Sequence, residues 1–319
     1  MATSRSEGIF KRYERNPIIS VGDLPYRANS VFNAGVAEVD DETLLLMRVE
    51  DRRGISHFTV ARSANGIDGW RIDHEPTLLP DPQACPEELY GIEDPRITFI
   101  DEEGYWAIVY TAFSAGGPLV SLATTRDFRE FERHGPVMPP EDKDAALFPV
   151  RFGGRWAMLH RPVSTFPTTT ADIWISFSPD LKHWGDHRVL LPARKGAWWD
   201  ANKVGLSPPP LETEQGWLIL YHGVKVTASG SLYRLGLALL GLDDPCKVIA
   251  RSNEWVFAPE EPYELYGDVD KVVFPCGWLL RDGEIRLYYG GADRCIALAT
   301  ARLDEVLEWL RKHSEGFGV

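Results

Sequence analysis

The chain has 319 residues, with 34 Lys and Arg against 47 Asp and Glu, a formal net charge of -13, and 44% hydrophobic residues. That balance is globular and excludes a disordered, collagenous or coiled-coil chain. The negative surplus argues against a face for DNA or an anionic membrane, both of which need a basic surface, so any anionic ligand must meet a local group of cations.

The opening segment, MATSRSEGIFKRYERNPIIS, carries charges where a signal peptide needs an apolar core. Apolar runs such as LGLALLGL at 235–242 fall far short of the roughly 20 residues that span a bilayer. Cys85, Cys246, Cys276 and Cys295 form no C-x-x-C pair and no zinc spacing, and read as free thiols of a cytoplasmic protein. No H-E-x-x-H, P-loop or G-x-G-x-x-G follows a strand, so neither a metal nor a nucleotide is expected. His183 and His187 are four apart, but DLKHWGDH reads as a turn.

In chain order, one segment recurs five times: a strand-like run, a polar turn, a second run ending in small residues, and an acidic turn. The copies are TLLLMRVEDRRGISHFTVARSANGIDGW (43–70), YWAIVYTAFSAGGPLVSLATTRDFREF (105–131), RWAMLHRPVSTFPTTTADIWISFSPDLKHW (155–184), GWLILYHGVKVTASGSLYRLGLALLGLDDP (216–245) and IRLYYGGADRCIALATARLDEV (285–306). Turn residues Asp68, Asp127, Asp180, Asp243 and Asp304 are 59, 53, 63 and 61 residues apart. The runs are rich in Val, Ile, Leu, Tyr and Trp, as strands are. Units of this size hold four short strands each, which predicts an all-β chain: a single five-bladed β-propeller over 1–319. Only LDEVLEWLRKH at the end reads as a helix, with Leu303, Val306, Leu307 and Leu310 on one face to cover a blade. Extensions at 1–15 and 303–319 leave room for a homo-oligomer.

Propellers gather one end of their innermost strands at the axis. The aligned runs, taken as those strands, end at Arg48, at Tyr110 and Thr111, at His160 and Arg161, at Tyr221 and His222, and at Tyr289 ahead of Asp293. Two arginines and a histidine at matching points of an acidic chain read as a cationic pocket for a small anion; the alternative is salt bridges lining a wet channel. In GIEDPRIT (91–98), Pro95 is expected to hold Asp94 extended at a strand entrance, as a fixed catalytic acid or as a blade-edge turn. Lys203 of WWDANKVG, a solvated residue if alone, joins the pocket in the company of Arg161 and His222.

These residues belong to an ordered series: NPII, NSVFNAG (29–35), LLLMRVEDRRG (44–54), GIEDPRIT, KDAALFP (143–149), LHRP (159–162), the Lys of WWDANKVG, YHGV (221–224) and YYGGAD (288–293). Through them nearly the whole chain resembles glycoside hydrolase family 130, the β-mannoside phosphorylases. The resemblance implies inverting transfer of mannose from a β-mannoside to inorganic phosphate, releasing α-mannose 1-phosphate reversibly. Ordinary inverting glycosidases need two carboxylates about 6.5–9.5 Å apart, whereas phosphate is itself the nucleophile and calls for cations instead. Asn33, in the first-blade region where many five-bladed glycosidases carry an Asp, cannot ionise.

By the resemblance, Asp94 is the general acid, acting through the mannose 3-hydroxyl, a task that favours a carboxyl kept partly protonated by an enclosed site. Lys143, Arg161, Lys203, His222 and Tyr233 would hold phosphate, and Asn33, Arg48 and Asp293 the transferred mannose. Phosphate would be a co-substrate, with no other cofactor. Tyr90, Trp198 and Trp199 could stack on the acceptor sugar or fill the core. The rival readings are β-mannoside hydrolysis on the same fold and a non-catalytic sugar-binding propeller.

Overall fold

The computed structural model describes residues 8–164, 170–228 and 230–315. Five four-stranded antiparallel blades follow one another along the chain. Blade I is Ser30–Val39, Glu42–Glu50, Ser56–Ser63 and Arg71–Ile72; blade II is Ile92–Ile100, Tyr105–Ser114, Gly117–Thr125 and Phe131–Met138. Blade III is Asp142–Phe152, Arg155–Ser164, Ile173–Ser178 and Gly185–Leu191; blade IV is Lys203–Leu206, Gly216–Thr227, Gly230–Leu240 and Val248–Ser252. Blade V takes Val273–Arg281, Glu284–Gly291 and Cys295–Arg302, and its fourth strand, Lys11–Arg12, comes from the other end of the chain. That pairing closes the ring. The fold is the expected five-bladed propeller with a short helix near the C-terminus.

The first strand of each blade lies at the axis and the others step outward. The inner strands press together: a Cβ on Gly35 would sit 2.6 Å from the Pro95 carbonyl oxygen, and one on Gly277 2.7 Å from the Val36 nitrogen. The aligned runs of the sequence are therefore second strands, not innermost ones. The true inner strands escaped the repeat because bulges break their alternation between Phe32 and Gly35, Glu93 and Arg96, Lys143 and Ala146, and Pro275 and Gly277. In blade IV the inner strand is short and gives way to Pro208, Pro209 and Pro210.

The acidic turns close the third strand onto the fourth. Asp127 accepts the N–H groups of Arg129 and Glu130, and Asp180 those of Lys182 and His183. In blade I that place belongs to Asn65, which accepts from Ile67 and Asp68, rather than to Asp68 itself. In blade V, Asp304 stands in the first turn of the helix Leu303–Lys312, whose Val306, Leu307 and Leu310 are buried against Phe10, Leu287 and Ala299. Residues 303–312 are thus packed, not an exposed extension; 1–7 and 316–319 lie outside the described residues. Among the described residues no helix is long and apolar enough to cross a membrane, and the four cysteines are unpaired.

Candidate active site

Three inner strands carry the same device at the same end of the axis. Asn33, Asp94 and Asp144 each open a bulge in the left-handed region, at φ 46, 52 and 54°. Asn and Asp tolerate this region better than other side chains except glycine. Each such residue costs roughly 1–3 kcal/mol, so the surrounding sheet must over-determine it. Asp94 is therefore not extended as expected. Pro95 disfavours the right-handed helical region for its predecessor, and the bulge takes the left-handed one.

The bulges aim their side chains at one another. Asp94 Oδ1 accepts 2.9 Å hydrogen bonds from Asn33 Nδ2 and Arg48 Nη1. Arg48 also reaches Glu93 Oε1 at 3.0 Å and Ser56 Oγ at 2.9 Å. Two residues on, Arg96 donates to the Asp94 carbonyl at 3.1 Å and to the carbonyls of Leu206 and Ser207 at 3.0 and 2.6 Å. It lies 3.4 Å from Asp144 Oδ1. Asp144 Oδ2 in turn accepts Arg161 Nε at 2.6 Å and lies 3.4 Å from His222 Nε2. A continuous buried network thus runs from Asn33 to His222 across four blades.

Burial raises the Asp94 carboxyl, but Arg48 and then Arg96, Asn33 and Lys143 outweigh it and hold it below the ordinary range. The expectation of a partly protonated Asp94 does not hold in the ligand-free protein. Asp293 behaves in the opposite way: burial, resisted by Arg48 and aided by Asp94, pushes it up to about 7. Glu93 is raised by burial against Arg48. Asp144 is held well below the carboxylate range because Arg161, His222 and Arg96 overcome its burial. Burial lowers the His222 imidazole despite Asp144.

The cation side is only partly compensated, by the bond of Asp144 to Arg161 Nε. Lys143 and Arg161 are cross-strand partners in blade III, and Lys203 begins the inner strand of blade IV. Burial and then the charges of Arg161 and Lys143 depress the Lys203 ammonium, so the three cations feel one another. Among the described residues, Lys143 Nζ, Lys203 Nζ and the Arg161 Nη atoms have no hydrogen-bond or ion-pair partner within bonding distance. Tyr233, on the next strand, lies beside His222 with ring centroids 6.1 Å apart.

All nine residues singled out in the sequence, Asn33, Arg48, Asp94, Lys143, Arg161, Lys203, His222, Tyr233 and Asp293, converge on this end of the axis. Asp144 and Arg96 were missed. The one signal was the recurrence of a small-residue bulge after Asx in NAG, EDP and DAA. Of the acceptor candidates, Tyr90 and Trp198 are exposed, but Trp199 is buried, stacked on Tyr221 at 5.6 Å and packed over Gly223 and Gly236. Trp199 is a core residue.

The architecture and the site define a class: five-bladed propellers whose axial end sets a buried carboxyl cluster against a cluster of cations with free donors. Residues 5–312 match the profile of glycoside hydrolase family 130, described as β-1,4-mannooligosaccharide phosphorylase, and the chain belongs to that family. It is 35% identical to a β-1,4-mannooligosaccharide phosphorylase of Ruminococcus albus over 95% of this chain and 91% of the relative. It is 30% identical to a 4-O-β-D-mannosyl-D-glucose phosphorylase of Bacteroides fragilis over 99% and 84%. The solved β-1,2-mannobiose phosphorylase of Listeria innocua, in complex with β-1,2-mannobiose, superposes with a TM-score of 0.86 at 31% identity, covering 95% of this chain and 99% of that one.

Proposed function

We propose that the protein catalyses the reversible, inverting phosphorolysis of β-mannosides by inorganic phosphate, with β-1,2- or β-1,4-linked manno-oligosaccharides, mannosyl-glucose or mannosyl-N-acetylglucosamine as donors and α-D-mannose 1-phosphate as product. The observation that carries this reading is the trio Lys143, Arg161 and Lys203 beside a buried acid: Asp144 holds only the Nε of Arg161, which leaves its Nη atoms and the two ammonium groups without a carboxylate within bonding distance among the described residues. Such a niche in a chain of charge -13 is stabilised by a multivalent anion, and arginine suits the planar, several-point contacts that phosphate offers. His222 and Tyr233 complete its wall. Asn33, Arg48 and Asp293 hold the mannose, and no cofactor other than the phosphate co-substrate takes part.

In the reaction a phosphate oxygen attacks the anomeric carbon on the face opposite the leaving group. The C1–O bond to the acceptor breaks, and the acceptor oxygen takes the proton of Asp94, directly or through a sugar hydroxyl. Asp94 must first gain that proton. Bound phosphate cancels the field of Lys143, one of the charges that lower Asp94, and a bound sugar excludes water from it, so loading the site shifts the carboxyl toward its acidic form.

A second reading rests on Asp293. A buried carboxyl raised to about 7 can serve as a base for water, which would make the enzyme a hydrolase. One assay separates the two. With α-mannose 1-phosphate and a panel of sugar acceptors, phosphorolysis run backward releases phosphate and forms a mannoside, and Asp94→Asn lowers the rate by about 10²–10⁴-fold. Free mannose from β-mannosides in phosphate-free buffer, with no phosphate release from any acceptor, would overturn the phosphorylase reading.

A further inference from the structure

Behind the cation niche, on the other face of the second strand of blade III, a chain of four side chains has no part in the reaction as derived. His160 Nδ1 lies 2.6 Å from Asp142 Oδ2, His160 Nε2 lies 2.7 Å from Ser176 Oγ, and Ser176 Oγ lies 2.7 Å from His187 Nδ1. Asp142, His160 and Ser176 are buried and His187 is exposed. The remaining oxygen of Asp142, Oδ1, accepts the backbone N–H of Arg161 at 3.0 Å.

The direction of the bond to Asp142 follows from its chemistry. A carboxylate only accepts, so His160 donates through Nδ1 to Asp142, while its Nε2 is bonded to the Ser176 hydroxyl and that hydroxyl to His187. Asp142 is thereby pinned from both sides, by an imidazole on one oxygen and by the Arg161 amide on the other. Asp144, two residues along the same inner strand, holds the Nε of the same arginine. The main chain and the side chain of Arg161 are thus tethered separately, by two carboxylates flanking Lys143.

We propose that Asp142, His160 and Ser176 are positioning residues for Arg161, fixing its backbone so that its free Nη atoms are presented to phosphate. The inference rests on the phosphate-binding reading of the niche. Its ligand is inorganic phosphate, and its reach is limited to the affinity for that anion. Removing the imidazole frees Asp142 to turn, and the arginine beside it loses its fixed pose although it touches none of the altered atoms.

Two variants isolate the contact. His160→Asn keeps a donor near the place of Nδ1 and preserves the bond to Asp142; His160→Gln extends toward Ser176 and loses it. Both remove the ring, so both cost packing. Binding of inorganic phosphate is measured by calorimetry on the full chain, with melting curves for each variant. The relay predicts a dissociation constant about 10-fold higher for His160→Gln and within about twofold of the parent for His160→Asn, with the two melting temperatures lowered alike. Ser176→Ala, which deletes one hydroxyl, gives an increase of about threefold. Equal weakening in the Asn and Gln variants, or unchanged binding in both, would overturn the proposal. Because phosphate binding is read directly, parent protein that binds phosphate yet turns over no mannoside refutes the proposed function and leaves the relay to be judged on the same three constants.

Discussion

Asn33 donates a 2.9 Å hydrogen bond to the Oδ1 of Asp94, and the two residues occupy the same bulge in neighbouring blades. A neutral amide thus stands at the blade I counterpart of the acid. Asn33→Asp would set two carboxyl groups at hydrogen-bond distance, and like charges so close cannot both ionise. The expected outcome is an Asp94 that titrates higher and a loss of about 10²-fold or more in kcat/KM, because Arg48 is shared between two acids. The pH–rate profiles of parent and variant check this; superimposable profiles would count against the coupling.

Lys203 has burial and two neighbouring cations against its charge. Lys203→Ala therefore relieves repulsion in the ligand-free protein and removes a contact in the loaded one. The expected result is a melting temperature equal to or above that of the parent without phosphate, and a smaller rise on adding it. The KM for phosphate should increase about 10–100-fold while that for the mannoside stays within about threefold. A comparable rise in both constants would show that Lys203 does not act on the anion selectively.

Asp293 gives a pH dependence with a definite sign. An unfolded aspartate loses its proton near about 4, whereas the folded one holds it up to about 7. Between these values the unfolded chain binds fewer protons than the native one, so this group makes stability fall as pH rises from about 4 to about 7 and level off above. Asp293→Asn abolishes that term, and asparagine keeps the left-handed backbone at φ 53°. Melting temperatures of parent and variant should draw apart from about pH 5 to about pH 8, the variant gaining. A constant offset across that range would contradict the assignment.

Arg12 secures the strand that closes the ring. Its Nε and Nη2 reach the two oxygens of Glu264 at 2.8 and 2.9 Å, and its Nη2 reaches the Ala258 carbonyl at 2.6 Å. Glu264 is wholly buried and also accepts the Tyr289 hydroxyl at 2.7 Å. Arg12→Ala would strand that carboxylate and cost about 3–5 kcal/mol. Urea unfolding measures it, and adding Glu264→Gln to the same chain should return part of the loss. An Arg12→Ala protein as stable as the parent would show that closure does not depend on this pair.

The architecture was legible because second and third strands carry long apolar runs, such as LLLM at 44–47 and LGLALL at 235–240, between turns that Asn65, Asp127 and Asp180 close in the same way. Inner strands were obscured by their bulges, where polar and small residues interrupt any period. The cations Arg48, Arg161, Lys203 and His222 could be found because an acidic chain makes them conspicuous. The acid that organises half of them, Asp144, could not: its partners Arg96, Arg161 and His222 come from three other strands, and only the approach of blades II, III and IV brings them within 3.4 Å. Trp199 and Trp198 are adjacent in sequence, yet one is core and one is surface, a difference set by the glycines across the blade.

The pairing of Lys11 with Thr300 and Arg12 with Ala299 also fixes an order of events at the ribosome. These two residues are made before any blade, and their partners are synthesised nearly 290 positions later. During translation the early segment must wait, unpaired, while four blades take shape, and the toroid can lock only when the third strand of the fifth has left the exit tunnel.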